Sequence, residues 1–201
     1  MTQHLLFCTA EEAKAFVPQV LASEEGQGIY PWALVESRQG LRSGQPFRDR
    51  QRGDETFETD FIGASVADCG AWTLERIDNN CLFTDSMIIL DARSAKDQTV
   101  TLCIYPLPGD AAYLRRDQEP ETWYPFRVHY LKIWNLSVEF SDTGDPHDTY
   151  GALFRRSEEF TDSNGLFDYD GALEVILAGE GGVNLKDRLW DRVEGAEDMV
   201  Q

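Results

Sequence analysis

The sequence predicts an α/β (or α+β) fold, a single domain in which a central mixed sheet of about five to six strands is flanked by helices. Three observations predict it. The apolar run Met87–Leu90 and the alternating run Val100–Ile104 are joined by a short polar connection, the pattern of neighbouring buried strands. Segments with strand and helix periods are interleaved along the chain, with no internal repeat and no convincing boundary between domains. The chain has 201 residues, 42% hydrophobic and 11% aromatic, enough for one well-packed core.

Taken in order, "HLLFC" is a short buried strand, and Thr9 with Glu12 forms a T-x-x-E capping box for the helix after it. Ala13, Phe16, Val17, Val20 and Leu21 share one face of that helix, and Pro18 should kink or shorten it. "IYPWALVESR" is a strand. Gln39 to Glu55 has no apolar period and is expected to be a long loop. "TFETDFIGA" resumes strand character, and Ser65 to Asn80 is a helix with Cys69, Trp72 and Ile77 facing inward. After the two sheet strands, "GDAAYLRRDQEPE" is a surface excursion. "WYPFRVHYLKIW" is a further strand with Phe126, Val128 and Tyr130 on one face. Asp145 and Pro146 start another helix, as N-cap and first helical residue. "GALEVILAG" fits a helix or a strand. "NLKDRLWDRVEG" is an amphipathic helix carrying Leu185, Leu189 and Val193, and a frayed tail is expected after residue 194.

Net charge is −18, and −11 of it lies in the last 63 residues. Such a chain is repelled by phosphates and anionic lipid, so neither nucleic acid nor membrane is an expected partner. No run of about 18 apolar residues occurs, and the N-terminus lacks the basic region of a secretory signal, so the expected location is cytoplasmic. Arg42, Arg48, Arg50 and Arg52 form a basic island that can pair with the acidic half, within one molecule or in a homodimer. Cys8, Cys69, Cys81 and Cys103 lie in apolar surroundings without C-x-x-C spacing, which favours reduced core thiols over zinc.

Motif tests exclude more than they find. There is no phosphate-binding glycine loop and no G-x-S-x-G elbow, and no cofactor is expected. In "DSNGLFDYD", placing Gly165 at the sixth position of an EF-hand puts Phe160 first and Gly171 twelfth, where calcium needs oxygen ligands. The stretch is better read as an Asn164-Gly165 turn with Asp168 or Asp170 capping the next element. Asp60 and Asp91 sit at ends of expected strands, where sites in open sheets collect. With Arg127 and His129 they are the acid–base and orienting candidates if the protein is an enzyme.

"FETDF" (Phe57–Phe61), "MIILDARSAKDQTVTLCIY", "FRVHYLKIWNLSVEF" and "EEFTDSNGLF" together resemble an uncharacterised domain family of bacteria and fungi. That family has a Thr-Asp-Phe opening and a Phe-Arg-Val segment leading to Asn-Leu-Ser. The resemblance spans about Phe57 to Phe167. It implies a single α/β domain and carries over no catalytic residues.

These readings support two functions. The first is an acidic, cofactor-free interaction or inhibitory (immunity-like) module acting on a basic protein, with Asp162, Asp168 and Asp170 at the contact. The alternative is a cofactor-independent enzyme or binding protein for a small, mainly apolar molecule, held in an aromatic-lined pocket.

Overall fold

The computed structural model describes residues 3–23, 31–39, 56–75, 82–114, 116–141 and 149–178. Five strands form one mixed sheet: β1 (Gln3–Cys8), β2 (Trp32–Leu34), β3 (Leu82–Leu90), β4 (Thr99–Ile104) and β5 (Tyr124–His129), in the order β2-β1-β3-β4-β5. β1 is parallel to β2 and β3, whereas β4 is antiparallel to both β3 and β5. The α/β expectation holds.

Alternation along the strands divides the core between two faces. Leu6, Cys8, Ile88, Leu90, Val100, Leu102, Phe126 and Val128 pack on one side. They are covered by α1 (Val17–Leu21), α4 (Ile133–Ser141), α5 (Thr149–Arg156) and α6 (Tyr169–Ala178). Leu5, Phe7, Ala33, Val35, Met87, Ile89 and Cys103 pack on the other, against Phe61 and α2 (Val66–Leu74). Aromatic rings are used mainly as core. Phe7, Phe61 and Trp72 meet edge to face, as do Phe126 and Phe154, contacts worth about 0.5–1.5 kcal/mol each beyond burial. Burial pushes the thiols of Cys8 up to about 11 and of Cys69 up to about 12, and raises Cys103 as well.

Several local expectations are overturned by tertiary bonds. The Thr9 hydroxyl donates to the Leu90 carbonyl (3.2 Å) and joins β1 to β3 instead of capping a helix. Helical structure begins as a 3-10 turn at Glu11–Phe16, and Pro18 then occupies the first turn of α1, where a missing N–H costs little. "TFETDFIGA" is not a strand. Thr59 donates its hydroxyl to Val35 and accepts from the Phe61 amide, a local alternative to a ladder, and Asp60–Gly63 turn. Tyr130 leaves β5 for a 3-10 turn (Tyr130–Lys132), and α4 succeeds it where strand character was expected to continue.

Other expectations hold. The helix expected from Ser65 starts there but ends at Leu74, and Ser65 caps it in a reciprocal box with Asp68. Cys69 and Trp72 face inward, and Gly70 is required there because a Cβ would lie 2.2 Å from the Trp123 indole nitrogen. "GALEVILA" is helix α6. The Arg42–Arg52 island and most of its loop, Ile77, Cys81, the Asp145–Pro146 start, the Leu185–Val193 helix and the tail after 194 lie outside the described residues.

His4 is buried on the first face between Trp32 and Trp134, with its Nδ1 2.8 Å from the Ser86 hydroxyl. Burial lowers its imidazole from 6.5 to about 3. Between those values the unfolded chain binds a proton that folded His4 does not, so stability falls as pH drops through that window. His4→Gln, which keeps a hydrogen-bonding side chain but does not titrate, is expected to flatten the fall in urea-measured stability between about pH 6 and about pH 4. A slope equal to the wild type's would contradict a neutral buried His4.

Candidate functional site

The site is a consequence of strand direction. β1 and β3 end at Cys8 and Leu90, β4 starts at Thr99 and β5 finishes at His129, all along one edge of the sheet. On the α2 side, Ile89, Thr101 and Arg127 stand in one cross-strand row, and Thr99 pairs with His129 one step further out. Open sheets gather ligands at such carboxyl ends, where connections from adjacent parallel strands diverge. Here the divergence lies at β1, whose neighbours β2 and β3 are on opposite sides.

Arg127, with 14% of its side chain exposed, makes an ion pair with the Asp91 carboxylate through one terminal nitrogen. The other donates to the Thr99 hydroxyl at 3.0 Å. The second oxygen of Asp91 accepts from the Arg93 amide (3.0 Å) and the Ser94 amide (3.2 Å), which starts the short helix α3 (Ser94–Asp97). Burial pushes the Asp91 carboxyl up, but Arg127 and these donors outweigh it and hold the group below the usual carboxylate range. Arg93 in turn pairs with Asp97 through Nε (2.5 Å) and donates to the Asn164 carbonyl (2.5 Å).

Asn164 belongs to the stretch "DSNGLFDYD", which is a closed turn. Asp162 Oδ1 accepts from the Asn164 and Leu166 amides, both at 2.8 Å, and Gly165 takes the left-handed conformation (φ 76°) that the turn needs. The Phe167 amide then donates to the Arg127 carbonyl (2.7 Å), which seats the segment on the open edge of β5. Asp168 Oδ1 accepts from the Gly171 amide (3.0 Å) at the start of α6, and Asp170 pairs with Lys132 (2.8 Å). The turn-and-cap expectation is met.

Three open grooves flank this turn, one of them (about 440 Å³) lined by Arg93, Asp97, Thr99, His129, Asp162, Asn164 and Leu166. Of the other two, the first, a crevice of about 420 Å³, has the Ile89–Thr101–Arg127 row within it, together with Thr9, Asp91, Arg93 and Gly165. The second, about 270 Å³, runs along Phe160, Leu166 and Phe167 and is bordered by His129, Asp162, Asp168 and Asp170. The structure thus joins Asp91 to Arg127 but separates the other two candidates. Asp60 accepts from the Ser37 hydroxyl and the Arg38 amide and is not part of these grooves. His129 lies beside the second groove, where its Nδ1 accepts from the Leu131 amide (3.4 Å). The second groove brings Phe160, Phe167 and Tyr169 together with Asp162, Asp168 and Asp170. Sequence reasoning missed Thr9, Arg93 and Thr101 at the crevice, and the buried His4–Ser86 contact, whose members stand 82 positions apart. Among the described residues, no three His, Cys, Asp or Glu side chains are grouped to hold a metal, and no helix is long and apolar enough to cross a membrane.

No family model, curated protein or solved structure matches the chain.

The Asp91–Arg127 pair is open to a double-mutant cycle. Asp91→Ala leaves a mostly buried guanidinium without its carboxylate and is expected to cost about 1–3 kcal/mol in urea unfolding. In an Arg127→Met background the same change should cost less, with a coupling of about 0.5–3 kcal/mol. The pair's contribution is complete above the unfolded aspartate value near pH 4 and is lost as pH falls below it, so the coupling should shrink in acid. A pH-independent cycle would refute the ion pair.

Proposed function

We propose that this chain is a cofactor-free protein-interaction module, inhibitory or immunity-like in mode, that takes basic side chains of a partner protein in the Asp162–Asp170 groove. The observation that carries this reading is the grouping of Asp162, Asp168 and Asp170 around one open groove with Phe160, Leu166 and Phe167. Asp170 is matched by Lys132, but Asp162 and Asp168 accept from uncharged amide groups, so their negative charge is not cancelled by those contacts. An arginine or lysine stem suits such a groove, with its methylenes on the apolar residues and its charge among the carboxylates. The overall charge of −18 draws a basic partner in from a distance, and that steering weakens with salt.

The test uses a short peptide of alternating arginine and glycine, titrated into the protein and followed by amide NMR. Shifts are expected at Phe160–Asp170, His129 and Lys132, weakening as salt is added. They should shrink in Asp168→Ser combined with Asp170→Asn, where serine preserves the helix cap. Shifts scattered over the whole acidic surface, or unaffected by the double substitution, would overturn the proposal.

A further inference from the structure

The crevice on the other side of the turn has a different electrical character. Its lining holds one carboxylate, Asp91, and two guanidiniums, Arg93 and Arg127, and with Asp97 paired to Arg93 the local charge is near balance within a chain of net charge −18. Each guanidinium has five N–H donors. Among the described residues Arg127 uses two, on Thr99 and Asp91, and Arg93 uses two, on Asp97 and Asn164. Three donors on each arginine are left for another acceptor. These arginines are also held in position, because every one of the four bonds goes to an atom of the sheet edge, the α3 turn or the Asp162 turn.

Thr101 is a second and independent pointer. It is only 7% exposed, stands between Ile89 and Arg127 in the cross-strand row, and borders the crevice. Its hydroxyl makes no hydrogen bond among the described residues, in contrast to the neighbouring Thr99, which bonds both Asp97 and Arg127. The side chain is mostly buried but its hydroxyl opens to the crevice, where water or a ligand is the partner available to it. Ala64, Val66, Ile89 and Pro125 add apolar surface beside these polar groups. The volume, about 420 Å³, is that of a metabolite-sized site.

We propose that this crevice binds a small carboxylic acid. Arg127 and Arg93 take the carboxylate, the Thr101 hydroxyl donates to it, and Ala64, Val66, Ile89 and Pro125 hold a compact apolar body. Planar guanidinium donors match the two oxygens of a carboxylate, and Asp91 holds Arg127 while repelling a ligand of higher negative charge. The site differs from the acidic groove in residues, charge and ligand, so it stands or falls separately from the proposed protein contact.

Benzoate and hexanoate are suitable probes, with benzamide, hexanamide and inorganic phosphate as controls, each titrated against the protein by amide NMR. The carboxylates are expected to shift Thr9, Ala64, Val66 and Thr101 and to bind about tenfold or more tightly than the matching amides, the ratio a charge-assisted bond supplies. Arg93→Met should weaken benzoate by about tenfold. Thr101→Val, which keeps the shape, should weaken it several-fold without lowering thermal stability. Both variants must retain the wild-type amide spectrum away from the crevice. No carboxylate-specific shift at about 20 mM would overturn the proposal, since the site would then be weaker than any useful metabolite site. Equal binding of the amides, tighter binding of phosphate, or unchanged affinity in both variants would overturn it too. If Thr101→Val lowers stability while benzoate affinity is unchanged, the hydroxyl has a structural role and the assignment fails.

Discussion

The position of β3 governs the arrangement. It accepts a parallel neighbour on one side and an antiparallel neighbour on the other, and its Met87–Leu90 half is apolar on both faces because helices lie above and below. The parallel contact with β1 brings Thr9 and Asp91 to one edge. The antiparallel contact with β4 folds the chain back there, and the second antiparallel step returns β5 so that Arg127 stands two strands from Ile89 in the same row. The crevice joins residues far apart in sequence, among them Thr9, Asp91, Thr101 and Arg127. Their proximity is a product of direction changes in three strands whose interiors must be dry.

That dependence explains what the sequence reveals and what it hides. The β3–β4 pair is legible because an unbroken apolar run and an alternating run each have a short-range signature. Asp91 and Arg127 are each identifiable, one at a strand end and one beside an aromatic strand, but their contact needs the register Thr101–Arg127, which no local pattern encodes. The Asp60–Asp91 pairing fails for a related reason. β1 lies between β2 and β3, and Asp60 occupies a turn beside the end of β2, held by Ser37 and Arg38. α4 is hidden because Ile133, Trp134 and Val138 favour strands in isolation, while Ile133 and Leu136 reach the core only once the chain turns after His129. At Thr9, a capping signature loses to a hydroxyl bond across 81 positions, a case of tertiary structure overriding local preference.

The charge distribution has two length scales. At physiological salt the field of exposed carboxylates decays over about 8 Å, so −18 governs approach from solution but not the chemistry inside a crevice. Within a few ångströms the local groups decide. Arg127 is shielded from solvent by the sheet, and its single carboxylate partner leaves it able to meet a second anion. The same chain can therefore attract a cation to one surface and still offer an anion site on another.

The crevice and the acidic groove share a wall, and its construction determines whether both keep their shape. Asp162 and Leu166 face the acidic groove, and Asn164 and Gly165 face the crevice. Short loops are commonly mobile when their backbone groups are bonded only to water. In this turn the Asp162 amide donates to the Leu166 carbonyl (2.9 Å), the Gly165 amide to the Asp162 carbonyl (2.9 Å), and the Asp162 carboxylate takes two further amides. Arg93 fixes the outer carbonyl, and the Arg127 backbone fixes Phe167. The acids of "DSNGLFDYD" thus have a division of labour. Asp162 organises the wall, Asp168 starts the helix behind it, and Asp170 ties that helix to the 3-10 turn after β5 through Lys132. The bonds that rigidify the wall use one oxygen of Asp168 and neutral donors at Asp162. Lys132 offsets Asp170, and Arg93 lies close enough to favour the Asp162 carboxylate, so rigidity leaves the surface acidic but only in part uncompensated.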